Sequence, residues 1–148
     1  MGRIVGFLSI PAGDKFRLLL SVVLLPAVSV GINLFSFSRV RAILLWTAGV
    51  SRTLSPGTPT PHRIAWAVKI ADRQLPGDRT CLVRSLSGET LLHLYHFSPE
   101  HRIGVDKGAD GTVEAHSWLE HEGCILIGEL DDLPRYEPLR SLNHGDAL

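Results

Sequence analysis

The uncharged stretch at residues 18–38, LLLSVVLLPAVSVGINLFSFS, constrains this chain more than any other feature. At about 1.5 Å of rise per residue it is long enough to cross a bilayer as one helix. Pro26 in its middle, Gly31 and Asn33 near its end and its four serines argue instead for two buried helices broken near 31–33, with membrane contact or insertion as the alternative. Lys15 and Arg17 precede the run and Arg39 and Arg41 follow it, so the flanks set no orientation. No A-x-A cleavage site follows, and Val40, Ile43 and Leu44 continue a helical pattern, which fits a secretory signal poorly.

Set against that run, the 148 residues are 45% hydrophobic, which suits a globular domain and is too apolar for disorder. Fifteen basic residues balance fifteen acidic ones, so no nucleic-acid partner is expected. Two cysteines with no CxxC pair exclude a disulfide scaffold and a thiolate-rich zinc site, and a reducing cytoplasm is the simplest compartment, with membrane association as the variant. No metal and no cofactor is expected.

The organisation reads as a hydrophobic helical part at 1–50, a linker at 51–62 (SRTLSPGTPTPH, three prolines), a core at 63–140 and a frayed tail at 141–148. Ile64, Ala67, Val68, Ala71 and Leu75 recur at helical spacing until Pro76-Gly77. Asp78 or Thr80 can cap a second helix with Leu82, Val83, Leu86 and Leu94 on its apolar stripe. Short runs at 102–106, 113–120 and 124–128 then read as antiparallel strands, giving an α+β fold.

Cys81 falls in the first turn of that second helix, where the positive end of the macrodipole and the nearby Arg79 and Arg84 favour a thiolate. Of seven histidines, His116 is the best base, because Glu114, His116, Trp118 and Glu120 share one strand face while Val113, Ala115, Ser117 and Leu119 share the core face. A two-residue turn at Glu122-Gly123 pairs His121 with Cys124 and sets Glu129 across from His116 as the orienting acid. The same register makes Cys124 a buried strand residue on the opposite face. Trp118 is an aromatic cover for the site. His93, His96 and His101 have no carboxylate or thiolate at matching spacing and read as helix-end or loop residues.

The order of helix-start cysteine, strand histidine and following acid is that of papain-like and transglutaminase-like cysteine enzymes. The wording LPGDRTCLVRSLSGETLL, HRIGVDK, EAHSWLEHEGCILIGE and YEPL, preceded by LFSFSRVRAILLW, resembles the transglutaminase-like leader peptidases of lasso-peptide biosynthesis. The resemblance implies N-terminal helices followed by a transglutaminase/papain-like core, with the nucleophile at a helix start packed on a small antiparallel sheet. It implies a cysteine peptidase that removes the leader from a ribosomally made lasso precursor peptide before macrolactam closure. It also implies two partners, a separate small leader-recognition protein and an ATP-dependent macrolactam cyclase. Carried onto this sequence, Cys81 matches the nucleophile and His116 the base. The family's usual aspartate is replaced by Glu129, with Asp131 as the alternative acid, and Gln74 is the side-chain candidate for the oxyanion. A non-catalytic precursor-binding or scaffolding protein of the same fold, and an amide-transferring enzyme, are the competing readings.

Overall fold

The computed structural model describes residues 12–50, 59–77, 79–107, 110–129 and 133–138. The apolar run forms most of helix α1 (Ala12–Leu34), which continues through Pro26 and Gly31. The chain breaks later than the sequence suggests. The Phe35 amide donates to the Gly31 carbonyl (2.8 Å), and the Val40 amide donates to Ser36 (3.1 Å) at the opening of α2 (Phe37–Val50). Gly31 is a point of approach between helices, since a Cβ there would stand 3.5 Å from a Val40 methyl carbon. Pro26 lies on the exposed side of the helix, bordering a hollow shared with Leu75 and Pro76. Helix α1 is long and apolar enough to cross a membrane, with a mean hydropathy of 1.9 over its most apolar window, and only 28% of that window is buried. The expectation of two buried helices is therefore corrected: one flank of the pair packs and the other is open.

Thr60 caps α3 (Pro61–Gln74) by accepting from the Arg63 amide, and Pro61 occupies the first helical position, where its missing N–H costs nothing. The helix thus begins within the stretch read as linker; residues 51–58 lie outside the described residues. Ile64, Ala67, Val68 and Ala71 are buried, as their spacing predicts. Thr80 likewise caps α4 (Cys81–Leu94) through the Val83 amide, while Asp78 lies outside the described residues.

Four antiparallel strands follow: β1 (Glu100–Lys107), β2 (Val113–His121), β3 (Cys124–Ile127) and β4 (Glu137–Pro138), in the order β3-β2-β1-β4. The β2–β3 turn is Glu122-Gly123, both at positive φ (50° and 81°), and His121 pairs with Cys124. The first three strands are those the pattern predicts, whereas β4, which pairs with β1 through Gly104 and Val105, was not expected. The register then slips at a bulge: Glu120 pairs with Ile125, but Leu119 pairs with Ile127. Helix α4 lies close on this sheet at Gly88, where a Cβ would come within 2.3 Å of Ile127 and 2.9 Å of Leu119 side-chain carbons. One hydrophobic core joins Leu25 and Val28 of α1, Val40 of α2, Ile64 and Val68 of α3, Leu86 and Leu92 of α4, and Leu119 and Ile127 of the sheet.

Candidate active site

Cys81 is the first residue of α4 and is half-buried. Its position is fixed by the loop before it. Arg79 pairs with Asp72 and donates to the carbonyls of Asp72 (2.8 Å), Pro76 (3.1 Å), Leu75 (3.2 Å) and Gly77 (3.3 Å). Arg84 donates to the Arg79 carbonyl (2.9 Å) and lies 3.5 Å from Asp72. Both guanidiniums are committed to Asp72 and the backbone. They hold the α3–α4 loop that leads into Cys81.

His116 is nearly buried in β2, and its Nε2 lies 2.7 Å from the Gly128 carbonyl. A carbonyl only accepts, so Nε2 carries the proton and Nδ1 is the nitrogen left to act as base. The ring stacks on Trp118 (centroids 6.0 Å apart, planes at 16°) and meets Tyr136 at 5.5 Å. Trp118 is in turn pinned by its Nε1–H donating to Glu120 (2.8 Å). Trp118 and Tyr136, the two rings against His116, border an open groove of about 800 Å³ that Ile125, Glu129, Leu133 and Pro138 also line.

Glu129 enters that groove's lining but is exposed and does not stand across from His116. The bulge and the end of β3 at Ile127 remove the expected pairing, and Gly128, at φ 93°, turns the chain away. Among the described residues no hydrogen bond joins Cys81, His116 and Glu129 to one another. The pleat turns Ser117 and Leu119 towards α4, and His116 and Trp118 towards the groove. Asp131 lies outside the described residues. Gln74 is exposed at the last position of α3. Cys124, expected to be buried, is exposed beside the hairpin turn.

A second group went unseen in the sequence. His101, wholly buried, bridges Glu89 (Nδ1 to Oε2, 2.5 Å) and Ser117 (Nε2 to Oγ, 2.6 Å), and Arg41 donates to Glu89 from α2 (2.7 Å). It has the connectivity of a hydrolase triad but no access to substrate, so it serves to tie α2, α4, β1 and β2 together. Its members come from four separate elements, and only the alternation that sends Ser117 inward was a signal for it.

Residues 24–141 match the family described as the transglutaminase-like superfamily. The chain belongs to that superfamily. Its α+β architecture, four helices against a small antiparallel sheet with a cysteine opening a helix, is consistent with such a domain, and the superfamily commonly comprises cysteine proteases and transferases. Comparison with curated proteins and with solved structures found no match.

Proposed function

We propose that this transglutaminase-like protein is a cysteine peptidase that removes the leader from a lasso-peptide precursor. The observation that carries the reading is a half-exposed thiol at the start of a capped helix in the same domain as a strand histidine whose Nδ1 is left to act as base. Cys81 Sγ loses its proton to His116 Nδ1 and attacks the carbonyl carbon at the leader-core junction. The amide N–H of Cys81, free at the first helical position, receives the oxyanion. His116 then protonates the leaving amine as the C–N bond breaks, takes a proton from water, and the resulting hydroxide releases the acyl group.

The Gly128 carbonyl orients the imidazole, and Glu129, one residue on and bordering the same groove, is the proposed acid that stabilises its charged form, with Asp131 competing for that role. The mechanism requires a rearrangement on peptide binding that brings the Cys81 thiol to the imidazole, which leaves β2 on the face turned away from α4. An open groove with Trp118, Tyr136 and Pro138 in its walls suits an extended peptide. A leader-recognition protein and a macrolactam cyclase are the proposed partners, in the cytoplasm.

The test is mass spectrometry of a lasso precursor incubated with the protein and a leader-recognition protein. Free leader and core from wild type, and none from His116→Ala, support the reading. A product lacking the added water, with the leader amide-linked through its C-terminal carbonyl to another amine, would replace peptidase by transferase. Precursor binding without any product would replace both by a scaffold.

A further inference from the structure

Helices α1 and α2 are apolar on their outer side as well as on the inner one, where Leu18, Leu25, Val28, Val40 and Ala48 pack. Asp14, Arg17 and Ser21 are buried against the domain, while Leu19, Val23, Val30 and Leu34 of α1 and Ile43, Trp46 and Val50 of α2 are each more than half exposed. A helix on a water-facing surface shows the reverse pattern, and a contiguous apolar face of this extent marks a docking surface.

Two further observations identify what covers it. Polar side chains exposed on this face bond back into their own helix, Asn33 to the Ser29 carbonyl (2.9 Å) and Thr47 to the Ile43 carbonyl (2.7 Å), as groups do where water is not at hand. Charge is also divided along the chain. Residues 1–71 hold eight basic and one acidic residue, and residues 72–148 seven basic and fourteen acidic; Arg17, Arg41 and Arg63 are taken up by Asp14 and Glu89, which leaves the N-terminal half a smaller excess of cations. Arg39, exposed at the start of α2, sits at the edge of the apolar face.

We propose that this face docks in the plane of an anionic lipid bilayer, α1 and α2 sinking their outer side chains to the acyl boundary while their inner sides remain on α3 and α4. A spanning arrangement would require lipid on every side of α1, and the buried flank of Leu18, Leu25 and Val28 forbids it. The surface lies apart from the groove beside His116, so docking holds the protein at a membrane without using its catalytic groups.

The experiment is flotation of the full chain with vesicles of phosphatidylcholine alone or of equimolar phosphatidylcholine and phosphatidylglycerol, beside the triple variant Val23→Glu, Val30→Glu, Trp46→Glu. Wild type is expected to float with the anionic vesicles, less so with the neutral ones. The variant is expected to partition at least about tenfold less, equivalent to about 1.4 kcal/mol, while keeping its circular dichroism and melting temperature. Vesicles of brominated lipid should quench fluorescence in wild type and lose that component in Trp46→Phe. The proposal is overturned by wild type that stays unbound, by a triple variant that floats equally well, or by carbonate-resistant insertion, which would make α1 a span. A vesicle-free dimer that the triple variant dissolves would also overturn it, assigning the face to a second copy of the chain.

Discussion

Two cysteines in different settings make the simplest residue-level comparison. Cys81 opens α4 on a loop held by Asp72 and two arginines, whereas Cys124 stands exposed beside a tight turn with nothing built around it. Cys81→Ala is expected to abolish precursor cleavage. Cys124→Ala should retain it and shift stability by no more than about 0.5 kcal/mol. Chemical denaturation and the mass-spectrometric assay check both, and equal activity of the two variants would remove Cys81 from the mechanism. A second residue-scale prediction concerns Asp14. The hydrogen bonds from Arg63 (2.6 and 2.9 Å), followed by the pairing with Arg17, outweigh burial and hold its carboxyl below the ordinary range. A depressed folded-state pKa contributes stability that is complete above the unfolded carboxyl value of about 4 and is lost as pH falls through the folded value. Asp14→Asn, which leaves Arg17 buried without its partner, should cost about 3 kcal/mol at neutral pH. The gap from wild type should close below about pH 4. Urea titrations at a series of pH values would show it, and a pH-independent gap would refute the linkage.

At the scale of elements, local chemistry is what the sequence made legible. Thr80 before Cys81, Pro61 after Thr60, and Glu122-Gly123 between alternating runs each act within a few residues, and each element boundary lies where that chemistry sets it. What depends on distant partners was not legible. The bulge that skips Leu126 exists because both Leu126 and Ile127 are buried, a demand of the packing and not of the turn. That one-residue slip is why Glu129 does not face His116 and why a backbone carbonyl holds the imidazole instead. The Glu89–His101–Ser117 chain was hidden for the same reason, since its polar groups satisfy one another only after α4 and the sheet meet. Gly128 is the element-scale test. It sits at φ 93°, and a Cβ there would come within 2.8 Å of the Ser117 carbonyl oxygen and of Trp118 Cβ. Gly128→Ala should cost about 1–3 kcal/mol and displace the carbonyl that orients His116. Cleavage should therefore fall by more than the loss of folded protein explains, measured well below the variant's melting temperature. A rate that tracks folded fraction alone would give Gly128 a structural role only. In the same assay Glu129→Gln should slow cleavage more than Asp131→Asn; the reverse order would pass the acid's role to Asp131.

Across the whole molecule, the apolar helices are part of the folded domain as well as its outer face. Leu25, Val28 and Val40 share one core with α3, α4 and the sheet, and the family match begins at residue 24, inside α1. Two polar links reinforce the join: Asp14 to Arg63 of α3, and Arg41 to Glu89 of α4. Glu89 is wholly buried, so removing Arg41 leaves a carboxylate with His101 as its remaining partner in the core. Deleting residues 1–50 should then do more than detach the proposed membrane-docking surface. It uncovers the apolar flanks of α3 and α4 and breaks a buried ion pair, a change that costs about 3–5 kcal/mol by itself and is a large part of the 5–15 kcal/mol that stabilises a domain of this size. The expected outcome is aggregation or a non-cooperative thermal transition, read by light scattering and circular dichroism, with no cleavage activity. A soluble, cooperatively melting truncation that still cuts precursor would mean that α1 and α2 are a detachable anchor. Arg41→Met separates the two contributions, because it breaks the ion pair while leaving the apolar flank covered. It should lower the melting temperature with the fold retained, whereas the deletion should abolish the transition.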